Sequence, residues 1–121
     1  MPQQPSDPQT HLPLTTVVFE IMLTLAEGER HGYAIMREVE QRSEGRVTLH
    51  PGTLYRALSR LVDTGLLAEL DERPDPERGN ERRRYYDLTS LGHAVAVAEA
   101  ERLETQLDTA RARLLPQQRG G

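Results

Sequence analysis

The sequence predicts a mainly α-helical fold that carries one small β-hairpin and ends in a long helix. Three observations predict it. Apolar residues recur at helical spacing in separate segments broken by Gly28, Gly45 and Gly65. After the third segment, two short runs rich in β-formers flank a turn-rich stretch that contains Pro74, Asp75, Pro76, Gly79 and Asn80. The last segment, from Thr89 to Leu115, spans roughly 39 Å as a helix at 1.5 Å per residue, longer than packing on one small domain requires.

Met1 to His11 holds three prolines and three glutamines with almost no apolar content, so residues 1–11 are expected to form a disordered tail. From Leu12 to Ala26 the apolar positions Leu14, Val17, Val18, Ile21, Met22 and Leu25 follow a helical period, and Phe19 and Leu23 add a second face. A helix apolar on both sides needs two partners. A second helix fits His31 to Arg42, with Gly32, Ile35, Met36 and Val39 on one face. Val47 to Leu49 is expected to form a very short strand. Pro51 suits the first turn of a third helix, because its missing N–H has no intrahelical partner there. Leu54, Leu58 and Leu61 make that helix's inward stripe, and Gly65 closes it. Leu66–Arg73 and Arg82–Leu88 read as two strands, with Leu66, Ala68, Leu70, Tyr86 and Leu88 on a buried face. Thr89 caps the last helix. This order is that of a winged helix-turn-helix over residues 12–88, followed by a C-terminal dimerisation helix over 89–115 and a loose tail over 116–121.

Composition narrows the function classes. A chain of 121 residues, 36% hydrophobic and 28% charged, has room for one ordinary core. It has no cysteine, which removes disulfides and thiolate zinc sites and fits a reducing cytoplasm. No apolar run reaches the length of a membrane span, and the Pro/Gln-rich start does not have the pattern of an export signal. His11, His31, His50 and His93 are scattered singly without metal-ligand spacing, so no metal is expected. There is no nucleophile elbow, phosphate loop or carboxylate pair, so neither a catalytic residue nor a cofactor is expected.

The net charge of −4 excludes a simple basic DNA coat, yet the charges are segregated. Glu69, Asp71, Glu72, Asp75 and Glu77 precede an arginine-rich run of Arg78, Arg82, Arg83 and Arg84. On the solvent side of the third helix, Thr53, Tyr55, Arg56, Ser59 and Arg60 offer hydroxyls and guanidinium forks, the chemistry that meets phosphates and guanine edges. His50 precedes that helix within reach of a phosphate. Arg82 and Arg83 in the second strand, with Arg78 and Asn80 at the hairpin tip, are the expected wing contacts to duplex DNA. Arg84 shares the inward register of Tyr86. Asp63 and Tyr55 leave a blander reading, a solvated helix face with the tyrosine tucked against the second helix. The blander reading of the wing is an ion-pair ladder from its arginines to Glu69, Asp71 and Glu72.

In the last helix, Ala100, Leu103, Leu107, Ala110 and Leu114 repeat like a coiled-coil seam. Together with Leu14, Val18, Phe19 and Met22 of the first helix they are the expected homodimer contacts.

The blocks His31-Gly32-Tyr33, Pro51-Gly52-Thr53-Leu54-Tyr55 with Leu58 and Arg60-Leu61, Gly65-Leu66-Leu67, and Arg83-Arg84-Tyr85-Tyr86-Asp87-Leu88-Thr89 with Gly92 keep their order and spacing. Over roughly Leu14 to Leu115 the chain resembles the PadR family of transcriptional regulators, in its short form with a single C-terminal helix. The resemblance implies a homodimer held by the first and last helices that binds a pseudo-palindromic operator, usually as a repressor released by a small molecule. An aromatic or amphipathic effector near the dimer axis would be lined by Phe19, Met22, Met36, His93 and Val97. The chain has no tryptophan, so it does not have the tryptophan sandwich by which some short-form relatives hold flat drugs. The competing reading is a winged-helix interaction module that docks a protein partner through the same arginine-rich wing.

Overall fold

The computed structural model describes residues 7–115 apart from Asn80. Four helices, α1 (Thr16–Leu25), α2 (Gly32–Arg42), α3 (Pro51–Asp63) and α4 (Ser90–Leu114), surround a three-stranded antiparallel sheet. Its strands β1 (Arg30–His31), β2 (Leu67–Pro74) and β3 (Arg82–Leu88) lie in the order β1-β3-β2. This is the mainly α fold with a small β-wing and a long last helix that the sequence predicts.

Three of the four helices, α1, α2 and α4, start where a side chain takes over an orphan backbone amide. Thr15 Oγ1 accepts from Val18 at 3.1 Å, so α1 begins at Thr16 and the preceding residues form an irregular strap. His31 Nδ1 accepts from Ala34 at 3.2 Å to open α2. Thr89 Oγ1 accepts from Gly92 at 2.9 Å to open α4 and donates to the Gly65 carbonyl at 2.6 Å, which anchors that start to the end of α3. Gly65, at φ 84°, ends α3 in a Schellman turn: Leu66 donates to the Leu61 carbonyl and Gly65 to that of Val62.

The core joins the inward faces of all four helices to the sheet. Ile21, Leu25, Ile35, Val39, Leu54, Leu58 and Val95 are almost fully buried, with Leu66, Leu67 and Tyr86 closing it from the sheet side. Gly92 lets α4 cross directly over the Leu66 carbonyl, where any Cβ would collide with backbone. Past Arg102 the helix leaves the domain: residues 104–109 and 111–115 are exposed, and Leu107 and Leu114 retain 49% and 74% of their accessible surface.

Several expectations are corrected. Within the tail expected to be disordered, Pro8–His11 form a 3-10 turn, capped by the Asp7 carboxylate accepting from Gln9 at 3.0 Å and packed on α4. The strap is anchored further by Leu14, whose amide donates to the buried Glu99 carboxylate at 3.4 Å. Residues 1–6 and the expected loose tail at 116–121 lie outside the described residues. Val47–Leu49 is not a strand. Ser43 Oγ accepts from the Val47 amide at 3.0 Å and Leu49 is buried, so local bonds and packing hold the segment. The short third strand comes instead from Arg30–His31, which pair with Tyr86 and Tyr85 on the free side of β3.

The wing also departs in detail. β2 starts at Leu67, which is buried where Ala68 was expected to be, and its register to β3 slips by one residue between Glu69 and Glu72. The added residue is a β-bulge, which increases local twist. Beyond it the cover comes from α2, whose N-terminal residues face Tyr85 and Arg83. Arg83 is therefore the largely covered residue and Arg84 the exposed one, the reverse of the expected register.

Candidate nucleic-acid interface

The helix α3 is built to show one face. Its buried stripe Leu54, Leu58 and Leu61 leaves Thr53, Tyr55, Arg56, Ser59 and Arg60 exposed together, with His50 exposed at the N-cap, where its side chain makes no capping bond. Tyr55 is held by a close approach. Its ring lies against Gly32 at the start of α2, where a Cβ would overlap the phenol, yet 44% of the residue remains accessible. The tyrosine thus both packs on α2 and borders the α3 face.

The arginines divide into two sets. Among the described residues, Arg56 and Arg60 make no ion pair, and neither does the exposed Arg46 in the loop before α3. The described wing arginines, Arg73, Arg82, Arg83 and Arg84, are engaged. Arg73 reaches Glu29 at 2.8 Å and stacks 4.1 Å over the Tyr85 ring. Arg82 donates to the Glu72 carbonyl at 2.7 Å. Arg84 pairs with Glu69 at 2.6 Å and Glu72 at 3.3 Å. The ion-pair ladder is thus present through Glu69 and Glu72, with no pair to Asp71 among the described residues, and phosphates would have to compete with these carboxylates.

Arg83 is a correction to the expected wing contacts. Its side chain is only 19% accessible, with Nε 3.7 Å from Asp75 and a terminal nitrogen 3.5 Å from Glu81. Its guanidinium also lies 5.6 Å from the Tyr33 ring centre. A separation of 3.7 Å carries Coulomb attraction without a hydrogen bond, and Nε is accordingly buried without a donor–acceptor partner. Burial under the wing loop, which the strand alternation did not reveal, removes Arg83 from the outer surface. Arg82 stays on it, with 57% of its side chain accessible. The Arg78 side chain and Asn80, expected at the tip, lie outside the described residues.

Met22 is a second correction. It is 0% exposed and belongs to the monomer's own core, so it can face neither a partner subunit nor an effector. Leu14, Val18 and Phe19 are partly covered on the surface, as are Leu103 and Ala110 in α4, while Ala100, Leu107 and Leu114 are exposed. Of the expected effector residues, His93 lines a groove of about 310 Å³ with Leu25, Ala26, Gly28, Asp87, Leu88, Thr89 and Ser90. Phe19, Met36 and Val97 do not line that groove.

Sequence reasoning missed Arg46, His31 as a cap, and Glu99 as a buried carboxylate. The Arg102 guanidinium donates to Glu99 at 2.8 and 2.7 Å and holds its carboxyl below the usual range, against the opposing effect of burial. No described helix is long and apolar enough to cross a membrane.

Comparison with known proteins agrees with this geometry. The sequence pattern of the transcriptional regulator PadR-like family matches residues 21–98. A PadR family transcription regulator from Clostridium difficile superposes with a TM-score of 0.70 at 26% identity, covering 83% of this chain and 99% of that one. RosR of H. salinarum does so with a TM-score of 0.58 at 27% identity, over 86% and 99% of the two chains. A transcriptional regulator from Clostridium thermocellum, 23% identical, shares the fold with a TM-score of 0.66 over 81% and 92%. A 37.1 kDa protein in transposon TN4556 of Streptomyces fradiae is 41% identical over 80 residues, 66% of this chain. The aligned stretch spans about a fifth of that protein, 21% of its length.

Proposed function

The chain belongs to the PadR-like family of transcriptional regulators, and from that premise we propose that it is a homodimeric repressor that reads a pseudo-palindromic operator with α3. Residues 12–88 form the DNA-binding unit and 89–115 the dimerisation helix. The observation that carries the reading is the exposed α3 face, where Arg56 and Arg60 have no carboxylate partner among the described residues while the wing arginines do. A guanidinium already neutralised by a carboxylate gains little from a phosphate. A free one presents its whole fork to a guanine edge or a backbone oxygen.

In this arrangement Arg56 and Arg60 reach bases, with Thr53, Ser59, Tyr55 and His50 serving sugar and phosphate. Arg82, whose short bond goes to a backbone carbonyl and whose nearest carboxylate contact is 3.9 Å long, is the wing arginine that steadies the hairpin on the DNA backbone. A small aromatic or amphipathic effector, entering beside His93 near α4, releases the operator. A thermal-shift screen that finds no stabilising ligand would leave a regulator without an effector. The chain works where the DNA is, in the cytoplasm.

Selection of bound genomic fragments, followed by titration at several salt concentrations, tests the reading. The expected result is a recovered palindrome, with operator affinity that falls steeply as salt rises. No recovered sequence, and binding to a protein partner that barely responds to salt, would favour the interaction module instead. The net charge of −4 is the observation on that side.

A further inference from the structure

A buried pair outside the α3 face joins the wing loop to the helix-turn-helix. His31 ends β1 and caps α2, and both of its ring nitrogens are used. Because Nδ1 accepts from the Ala34 amide, the ring proton of the neutral imidazole sits on Nε2. Nε2 lies 3.2 Å from Asp75 Oδ2 and faces its carboxylate. The two residues are 8% and 4% exposed. Asp75 also closes the wing loop, since Oδ1 accepts from the Glu77 amide at 3.0 Å and its own amide donates to the Glu81 carbonyl at 2.9 Å.

Burial favours the neutral imidazole, and the charged neighbours act in both directions. Burial holds the His31 imidazole below its ordinary value of 6.5, Arg83 on β3 and Arg37 on α2 push the same way, and Asp75 and Glu77 of the loop oppose them. Tyr85 meets the ring edge-on at 5.4 Å and Tyr33 flanks it at 6.5 Å. The other ion pairs from the wing to α2 and the loop before it are Arg37 to Glu77 and Arg73 to Glu29, in which every side chain is at least 40% accessible. Solvent screens them, whereas the buried His31–Asp75 contact is shielded.

We propose that His31 and Asp75 form a latch that sets the wing at a fixed angle to α2, and through it to α3, so that two residues out of reach of DNA place Arg82 on the backbone. The inference rests on the reading of α3 as the DNA-reading helix. Without the latch, the hairpin beyond the Glu69–Glu72 bulge is left to the short β1 pairing at Tyr85, the Arg83–Tyr33 ring contact and solvent-exposed ion pairs. Both latch residues are positioning residues.

The substitution His31→Asn separates the latch from the cap. Asparagine is a good N-cap whose oxygen can still accept from Ala34, but it is too short to reach Asp75. In native-state hydrogen exchange, the Asp75 and Glu77 amides of the variant are expected to exchange about tenfold faster, with Ala34 and the α4 amides unchanged. Its duplex binding is expected to lose salt sensitivity to the same extent as Arg82→Ala while keeping its base preference. Asp75→Asn provides a second variant, because its amide group sets a donor against a donor at either His31 or Glu77; the wing amides should again be freed. Unchanged wing exchange in both variants overturns the latch. Faster wing exchange with wild-type salt sensitivity overturns the positioning role. If the unaltered chain shows no salt-dependent binding to duplex DNA, the reading of α3 fails and the positioning role with it, and the exchange measurement alone decides whether the latch exists.

Discussion

Single residues set the tolerances of this fold, and Gly92 sets the tightest. A Cβ at that position would lie 3.0 Å from the Leu66 carbonyl carbon and closer still to its oxygen, and neither chain segment can yield without moving a helix. Helix propensity favours alanine over glycine by about 1 kcal/mol, but overpacking against backbone costs about 1–3 kcal/mol, so Gly92→Ala is expected to lower the thermal midpoint. Gly52→Ala is the control: its Cβ would approach only the flexible end of Arg56, at 3.5 Å, and the melt should be unchanged or raised. Glu99 sets a different limit. Its carboxyl titrates below the ordinary 4.5 in the fold, so its stabilisation is present above that value and is lost as pH falls through the lower folded value. Denaturant melts on the acid side should show the wild type losing stability faster than Glu99→Gln, with the two converging once the carboxyl is protonated. Neither role was legible beforehand. Glu99 sits between Ala98 and Ala100 like any solvent-facing helix residue, and the obstacle at Gly92 comes from a distant part of the chain.

At the scale of elements, the proposed function divides the work of binding between α3 and the wing, so their substitutions should differ in kind. Arg60→Ala, or Arg56→Ala where that residue is the reader, is expected to cost about 1–3 kcal/mol on the operator and much less on random duplex. Arg82→Ala should weaken both duplexes alike and flatten the salt slope by about 0.9, the share of one phosphate contact. Arg83→Ala should act mainly on the thermal midpoint, because its guanidinium lies under the wing loop. Fluorescence titrations on operator and scrambled duplex separate these outcomes. The helices were legible because their signals are local: the Leu54, Leu58 and Leu61 stripe, the proline at the start of α3 and Gly65 at its end sit within one segment. The strand at Arg30–His31 was not, since two residues carry no alternation and only the free side of β3 makes them a strand. The bulge in β2 was invisible for the same reason, and with it the exchange of Arg83 for Arg84 on the outer surface.

At the scale of the whole molecule, the proposed dimer would cover what the single chain leaves bare. The end of α4 runs beyond the domain with Leu107 and Leu114 largely bare, more apolar surface than a solvated helix end needs. Light scattering at micromolar concentration is expected to report a dimer for the wild type and a monomer for Leu103→Asp combined with Leu107→Asp. A dimer that persists in the double variant would move the interface away from α4. The fold as a whole was readable from the order of its segments, but the allocation of Met22 to the inside was not, because a helix apolar on two faces does not say which of them its own domain takes. The strand order β1-β3-β2 has one more consequence. It leaves the outer side of β2 with unpaired backbone groups, the place where a neighbouring chain would join to start an aggregate. That rim carries Glu69, Asp71 and Glu72, a bulge among them, and Pro74 at its end. The acidic run that engages the wing arginines therefore also keeps the sheet of one molecule from growing into the next.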